Sequence, residues 1–236
     1  MLFRSTIIAN QGHDTVGGLG GDDVLTTGIG DDRIAGGLGA DTIDGGIGDD
    51  SIAGDRVTAA DDEPPSFPIV GPGGIDVITG GTGADTIWGG AEGDIINVGN
   101  SEDADVDVLY YADQSESFGG SVDQVLGFTT GTGGDIVVLW DVPFTFEEAE
   151  GYEYGGQYFV GNAATFGQAQ GLVTELDGIV DVVFQVDEEV LWVDINDDGT
   201  LNNNDLQIHL IGVGEAGGLQ DNLNGTSDNL LLGMFG

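Results

Sequence analysis

Residues 36–53 read Gly36-Gly37-Leu38-Gly39-Ala40-Asp41-Thr42-Ile43-Asp44 and then Gly45-Gly46-Ile47-Gly48-Asp49-Asp50-Ser51-Ile52-Ala53. Each half is a nine-residue unit of the form G-G-x-G-x-D-x-U-x, where U is a large aliphatic residue. Glycine reaches positive φ without strain, so the first six positions predict a tight turn. The β-branched residue at U predicts a short strand whose middle side chain points inward. Two units therefore predict one coil of a flattened right-handed solenoid, with each aspartate facing the aspartate one coil away.

The same phase recurs through the first hundred residues. The repeat aspartate is anchored at Asp14, Asp22, Asp32, Asp41, Asp50, Asp76, Asp85 and Asp94. Two positions after each aspartate stands a β-branched aliphatic residue, namely Val16, Val24, Ile34, Ile43, Ile52, Ile78, Ile87 or Ile96. The spacings in the first block are 8, 10, 9 and 9, so the short and long steps still sum to 18. A flexible Gly/Asp linker would not keep an aliphatic residue at a fixed phase.

Stacked turn aspartates predict a chain of metal sites. Carboxylates that converge with backbone carbonyls form a hard oxygen cage, which suits Ca²⁺, and several ions are expected. The predicted metal-site residues are the eight aspartates above and the turn glycines Gly18, Gly20, Gly28, Gly30, Gly36, Gly37, Gly39, Gly45, Gly46, Gly48, Gly74, Gly80, Gly81, Gly83 and Gly89. Neighbouring coils stand about 4.8 Å apart, so carboxylates without a counter-ion would repel one another strongly. We therefore expect folding to be coupled to cation binding.

These nonapeptides resemble the RTX, or hemolysin-type, calcium-binding repeats, which form parallel β-rolls. The resemblance implies an extracellular or cell-surface protein exported by type I secretion machinery that reads an uncleaved C-terminal signal. Residues 228–236 are acidic and then apolar, without a basic residue, which is compatible with such a signal. No cleavable signal peptide is apparent at the N-terminus.

Composition excludes several partners. The chain of 236 residues has 43 acidic side chains against three arginines, no lysine and no cysteine, and its formal net charge is −40. Such a chain repels nucleic acid and anionic membrane surfaces, and no apolar run approaches membrane-spanning length, so neither nucleic acid binding nor membrane insertion is expected. Adaptation to high salt is a rival explanation of the acidity, but it does not explain the nonapeptide phase.

The sequence divides into three parts. Residues 1–100 are predicted to form the β-roll, interrupted at 54–72 by a Pro-rich insertion that is either a tolerated surface loop or a partner-binding hook. Residues 101–213 carry longer alternating strands. The candidates are 106–112, 122–128, 136–140, 152–160, 179–186, 190–195 and 206–211. Residues 214–236 are read as a degenerate repeat and secretion-signal-like tail.

The second part has its own resemblance. Residues 107–111, 123–128 and 134–139 are similar to the domain that follows the repeats in serralysin proteases, with Gly127 and Val138 replacing two of that family's aspartates. Glycines separate most of the strands, which predicts antiparallel hairpins. The expected fold is therefore all-β, a right-handed parallel β-roll followed by an antiparallel β-sandwich-like cap.

A separate calcium signature lies at residues 194–205. It matches the twelve-residue loop D-x-N-x-D-G-x-L-x-x-x-[DE]. Side-chain oxygens are predicted from Asp194, Asn196, Asp198 and Asp205, a carbonyl oxygen from Thr200, and the sharp turn from Gly199. Because Leu206, Ile208 and Leu210 alternate at period two, we expect this loop to join two strands. An Asn/Asp-rich turn without metal is the alternative.

The chain is predicted to be non-catalytic. It has two histidines, His13 and His209, and no zinc-binding H-E-x-x-H or nucleophile elbow. Two classes of function stay open. The first is a stand-alone secreted calcium-binding protein that folds outside the cell and serves in a surface layer, adhesin or matrix, through self-assembly or binding to a cell-surface polysaccharide. We favour it because the repeats begin within about one strand length of Met1.

The second class is the C-terminal calcium-binding and secretion module of a larger secreted hydrolase or epimerase. A calcium-dependent glycan-binding role could coexist with either class. Its candidate residues are the aromatic side chains Trp88, Trp140, Trp192, Tyr152, Tyr154 and Tyr158, although aromatic residues in strands usually pack in the core.

Overall fold

A computed structural model describes residues 4–55, 73–99, 105–111, 117, 121–130, 134–139, 157–173, 180–194, 198–213 and 230–232. Strands dominate these residues, with one short helix. The strands are β1 (Thr6–Gln11), β2 (Thr15–Gly20), β3 (Val24–Ile29), β4 (Arg33–Leu38), β5 (Thr42–Ile47), β6 (Ser51–Ala53), β7 (Val77–Thr82), β8 (Thr86–Trp88), β9 (Ile95–Gly99), β10 (Val108–Tyr111), β11 (Asp123–Leu126), β12 (Ile136–Leu139), β13 (Gln157–Ala163), β14 (Val180–Gln185), β15 (Val190–Val193), β16 (Leu206–Leu210) and β17 (Leu230–Leu232). The helix α1 spans Phe166–Gln170.

From β1 to β12, successive strands alternate between two sheets, and β13–β16 all lie in the larger sheet. The larger sheet has the order β1-β3-β5-β7-β9-β11-β16-β15-β14-β13, and the smaller one β17-β12-β10-β8-β6-β4-β2. Strands from β1 to β12 pair in parallel, with Leu25 opposite Ile43 in one sheet and Ile34 opposite Ile52 in the other. Two nine-residue units therefore make one coil, and the predicted all-β parallel roll is confirmed.

The core lies between the two sheets and consists of the aliphatic residue of each unit. Ile43, Ile52, Ile78, Ile87 and Ile96 are all at most 1% exposed. Burying one such side chain stabilises a fold by roughly 1.5–3 kcal/mol. Each coil contributes two of these side chains. The core therefore extends along the roll with every added coil.

One repeat unit lies one residue later in the chain than the sequence pattern predicts. Asp23 is 1% exposed and occupies the turn position that was assigned to Asp22, which is exposed. Leu25 accordingly points into the core and Val24 does not. With Asp23 as the anchor, the first block has uniform steps of nine, from 14 to 23, 32, 41 and 50.

The parallel roll extends further than predicted. The sequence pattern predicts its end at residue 100, but β10 pairs in parallel with β8, β11 with β9 and β12 with β10. Leu109, Val125 and Val137 continue the buried row. Each stands two residues after an aspartate. The D-x-U pattern therefore continues in these strands, although their turns lack the glycines of the earlier units. Antiparallel pairing is found at β14–β15 and β15–β16. Most of the buried residues of these strands belong to the core cluster of the roll, whereas Val183 and Trp192 pack in a second cluster with Ala169 of α1.

The Pro-rich insertion leaves the roll from within a turn. Ile43 opposite Ile78 is a step of 35, whereas Leu25 opposite Ile43 is a step of 18, a difference of 17 residues. Gly54 and Asp55, predicted to belong to the insertion, are buried parts of the roll, so the excursion corresponds to residues 56–72, which lie outside the described residues. In the predicted tail, β17 pairs in parallel with β12. Helix α1 was not predicted.

None of the helical structure in the described part of the chain is long and apolar enough to cross a membrane.

Candidate metal centre

The turn aspartates form two hydrogen-bonded ladders along the roll. In each ladder the Oδ1 atom of one aspartate accepts the backbone N–H of the aspartate one coil earlier, at 2.6–2.9 Å. The first ladder contains Asp23, Asp41, Asp76, Asp94 and Asp123, and Ser5 donates its N–H to Asp23. The second ladder contains Asp14, Asp32, Asp50, Asp85, Asp107 and Asp135.

The second carboxylate oxygen defines the site. Eight Oδ2 atoms are buried without a hydrogen-bond partner, those of Asp14, Asp23, Asp32, Asp41, Asp50, Asp76, Asp85 and Asp94. A buried polar atom left unpaired costs about 1–3 kcal/mol, and more when it is charged. Repetition of this cost in consecutive turns indicates a missing positive partner, and unpaired carboxylate oxygens are ligands that Ca²⁺ prefers.

Backbone carbonyls approach the same places. A Cβ atom at position 36 would lie closer than 3.0 Å to both Asp41 Oδ2 and the carbonyl oxygen of Gly54. At such a separation the atoms would overlap. The same pairing of a ladder Oδ2 with a carbonyl oxygen from the next coil recurs beside Gly18, Gly45, Gly54 and Gly80. At Gly89 the Oδ2 atom of Asp94 approaches in this way. The first turn position is therefore glycine because oxygen atoms fill the space of a side chain.

The turn of Asp32 departs from this pattern. Thr27 holds its first position and is fully buried. The Thr27 hydroxyl donates to the carbonyl oxygen of Gly45 at 2.9 Å. One turn thus keeps its place in the roll with a side chain at this position.

The second and fourth turn positions need positive φ. Gly37 has φ 118° and Gly39 has φ 120°. Positive φ is also found at the predicted Gly28, Gly30, Gly46, Gly48, Gly81 and Gly83. Predicted Gly20 does not belong to this set; Gly21 takes its place with φ 116°, in line with the shift from Asp22 to Asp23. Gly74 is required for a different reason, since a Cβ there would overlap the backbone of Gly39.

Three other residues adopt positive φ where glycine is expected. They are Asn10 at 84°, Leu19 at 75° and Glu92 at 80°. These units therefore turn like the others although they lack the glycine signature.

Asp22 belongs to an outer row of exposed side chains. Its Oδ1 accepts the N–H of Ala40 at 3.2 Å. On the other edge, Asp31 Oδ1 accepts the N–H of Asp49 at 3.0 Å, and His13 Nδ1 accepts that of Asp31 at 3.0 Å. These side chains link coils from outside and contribute no buried oxygen.

Burial and mutual repulsion raise the pKa of five ladder carboxylates, so these five resist ionisation without a cation. Burial, supplemented by the charges of Asp94, Asp55 and Asp41, raises the pKa of Asp76 to about 9. Burial likewise raises the pKa of Asp85 to about 8, with Asp107 and Asp50 adding to it. The pKa of Asp94 rises to about 7, and those of Asp41 and Asp50 to about 6, again because of burial first. A bound divalent cation would reverse this balance.

Asp55 is a buried carboxylate that is not among the predicted metal-site residues. Its Oδ1 accepts the N–H of Gly74 at 3.0 Å, and its Oδ2 accepts that of Ala91 at 2.6 Å. Burial raises its pKa to about 6. The side chain thus ties the point where the chain returns from the insertion to the following turn.

The twelve-residue loop joins strands, as predicted, because β15 and β16 are antiparallel neighbours. Asp194 Oδ2 accepts the N–H of Gly199 at 2.9 Å, and Gly199 makes the turn with φ 68°. Asp205 Oδ1 is buried without a partner, and burial, with the charges of Asp194 and Asp198, raises the pKa of Asp205 to about 7. Asn196 lies outside the described residues.

Two further contacts shape this loop. The carbonyl oxygen of Thr200, predicted to be a ligand, accepts the side-chain amide of Asn202 at 2.6 Å. Gln170 at the end of α1 donates to the carbonyl oxygen of Gly199 at 2.7 Å and accepts the N–H of Leu201 at 3.0 Å. The Gln170 side chain of α1 therefore fixes the backbone of the loop.

The composition of these sites differs from that of a side-chain metal cluster. Within the described residues, no three His, Cys, Asp or Glu side chains come together as a metal-binding group. The cages of the roll would draw one oxygen from a side chain and others from the backbone, which is why glycine and register matter as much as aspartate.

Of the aromatic candidates, Trp88 and Trp192 are nearly buried. Trp88 stacks on Tyr110 with ring centroids 5.0 Å apart, and Trp192 packs against Phe166 at 5.5 Å. The side chains of Trp140, Tyr152, Tyr154 and Tyr158 lie outside the described set.

Comparison with known proteins agrees with this geometry. The profile of the RTX calcium-binding nonapeptide repeat matches residues 4–25, 26–56 and 71–104, in four copies. A search of the curated proteins found no match. The matched residues contain all eight unpaired ladder oxygens.

Proposed function

We propose that this chain, whose residues 4–104 carry RTX calcium-binding nonapeptide repeats, is a secreted, non-catalytic protein that folds on extracellular calcium and serves in a surface or matrix structure, such as a surface layer or an adhesin. RTX repeats bind calcium and are typical of secreted proteins. The observation that carries the proposal is the pair of ladders, whose eight buried Oδ2 atoms have no partner.

Charge and burial support folding outside the cell. At submicromolar cytosolic calcium the ladder carboxylates would repel one another in a chain of net charge −40. Extracellular calcium-binding modules have dissociation constants of about 10⁻⁴–10⁻³ M, so the roll would form at millimolar calcium after export.

A structural rather than catalytic role is supported by the use of the carboxylates. Most of the buried aspartates in the first hundred residues are committed to the ladders. The outer face of the larger sheet also exposes aliphatic side chains, among them Ile8, Val77, Ile95 and Leu126. Exposed apolar side chains on a rigid face are suited to contact with another surface.

Two measurements test the proposal. Circular dichroism should show a mostly disordered chain in excess chelator and a β-rich fold at millimolar calcium. Washing source cells with chelator should release the protein from the surface, and added calcium should restore attachment. A native spectrum without calcium would contradict calcium-coupled folding. Recovery of the chain inside cells only would contradict the surface role.

A further inference from the structure

The last aspartate of each ladder differs from the earlier ones in the hydrogen bonds of its Oδ2 atom. The eight turns up to Asp94 leave Oδ2 without a partner, whereas the terminal carboxylates, Asp123 and Asp135, have partners for theirs. Both terminal aspartates are almost fully buried, so this difference does not come from solvent.

In the first ladder the partner is a tyrosine hydroxyl. Asp123 Oδ1 accepts the N–H of Asp94 at 2.8 Å, as elsewhere in the ladder. Its Oδ2 accepts the hydroxyl of Tyr111 at 2.7 Å. Tyr111 is 1% exposed, so this bond is sheltered from water. Hydrogen bonds to a charged acceptor are the stronger ones.

In the second ladder the partner is Thr129. Asp135 Oδ1 accepts the N–H of Asp107 at 2.9 Å. Its Oδ2 accepts both the N–H of Thr129, at 2.7 Å, and the Thr129 hydroxyl, at 3.1 Å. Asp135 therefore has three donors within its own turn and the preceding coil.

The backbone N–H groups of the last two aspartates also have acceptors outside the ladders. In earlier turns the aspartate N–H donates to the carboxylate of the next coil. The N–H of Asp123 instead donates to the Ser117 hydroxyl at 2.8 Å, and that hydroxyl donates to the carbonyl oxygen of Gln207. The N–H of Asp135 donates to the carbonyl oxygen of Thr129 at 3.0 Å.

We propose that both ladders end in cation-free turns, where the hydroxyl groups of Tyr111 and Thr129 take the place that a cation takes in the eight turns up to Asp94. The inference rests on the proposed calcium-coupled folding. Its consequence is a boundary: strands β3–β6 need calcium, whereas β10–β12, whose terminal carboxylates are satisfied by protein donors, hold their pairing without it.

Hydrogen exchange of the full chain in excess chelator tests the boundary. We expect amides of β10–β12 to be protected and those of β3–β6 to exchange as in an unfolded chain, until calcium is added. Tyr111→Phe should speed exchange in β11 about 10- to 100-fold in chelator. Tyr110→Phe is the matched control, since it makes the same chemical change one residue away and its hydroxyl is not part of the ladder.

Calcium stoichiometry gives an independent readout. Asp94 and Asp123 are consecutive, fully buried members of one ladder. Asp94→Asn should lower the number of bound ions, whereas Asp123→Asn should leave it unchanged.

The outcomes separate the two proposals. Unprotected β10–β12 in chelator, with β3–β6 gaining protection on calcium addition, would overturn the cation-free ends and leave calcium-coupled folding intact. Equal exchange in Tyr111→Phe and Tyr110→Phe, or loss of an ion in Asp123→Asn, would overturn them too. Protection of β3–β6 in chelator would remove calcium-coupled folding and this inference with it.

Discussion

Replacing Gly36 by alanine probes the cages directly. The new Cβ would stand closer than 3.0 Å to Asp41 Oδ2, an atom of the first ladder, and to the carbonyl oxygen of Gly54. The carbonyl belongs to the backbone of the next coil and cannot rotate away. Asp41 is held through its Oδ1 by the N–H of Asp23 at 2.7 Å. Either the carboxylate turns away from the cage or the two coils separate.

Two contributions set the loss in the free energy of unfolding that Gly36→Ala causes. Overpacking a tight site costs about 1–3 kcal/mol. Loss of one ion removes RT ln(1 + [Ca²⁺]/Kd), which is about 1.4 kcal/mol when calcium exceeds Kd roughly tenfold. We therefore expect Gly36→Ala to lower the free energy of unfolding by about 2–4 kcal/mol at millimolar calcium and to raise the calcium midpoint of folding.

Gly17→Ala is the control. A Cβ at Gly17 would meet no atom within 4 Å. Gly17 pairs with Ala35, which pairs with Ala53, so alanine already stands at this position in the next two coils. Replacing glycine where its backbone conformation suits alanine changes stability by roughly +0.4 to +1 kcal/mol.

Urea unfolding at fixed calcium, together with calcium titrations followed by circular dichroism, measures both quantities. Equal calcium midpoints and equal unfolding free energies for the two variants would refute the assignment of oxygen atoms beside the first turn glycine. Thr27, which has a side chain at the equivalent position, indicates that Gly36→Ala should remain folded at high calcium.

Further predictions concern the ladders, the loop and pH. Asp32→Ala should raise the calcium midpoint more than Asp14→Ala, because Asp32 is bonded to both Asp14 and Asp50, whereas Asp14 begins its ladder; equal midpoints in parallel titrations would argue for independent turns. Asp198→Ala should remove about one ion per chain and leave the roll intact, so unchanged stoichiometry by titration calorimetry would make residues 194–205 a turn without metal. Because the metal-free folded pKa values of Asp76 and Asp85, about 9 and about 8, lie above the unfolded value of 3.8, the metal-free roll binds more protons than the unfolded chain between those limits. Its stability should therefore rise as pH falls from 9 towards 4, while calcium binding weakens because it must displace these protons; a calcium midpoint that does not change between pH 8 and pH 6 would contradict the shifts.

Local sequence patterns determine much of the fold of this protein. A unit of nine residues with glycine at the turn positions and an aliphatic residue two after the aspartate leaves few alternatives, because turn, strand and inward-facing side chain all repeat in the same phase. Thus the two-sheet roll, its isoleucine core and seven of the eight ladder aspartates within the repeats could be predicted from the sequence. The period-two alternation of Leu206, Ile208 and Leu210 similarly predicted that the loop at residues 194–205 joins two strands.

Pairing between coils decided the rest, because it joins residues 18 to 36 positions apart. Asp22 and Asp23 both precede an aliphatic residue by two, and only stacking on Asp41 selects Asp23. Asp55 replaces a turn glycine, so no local pattern distinguished it from the insertion. Asp107, Asp123 and Asp135 lack the glycine turn that identified the earlier units, and their ladder partners in the neighbouring coils lie 22 to 29 residues away along the chain. Whether a buried Oδ2 atom receives a hydroxyl from its neighbours or no hydrogen-bond donor at all is decided by the tertiary structure alone.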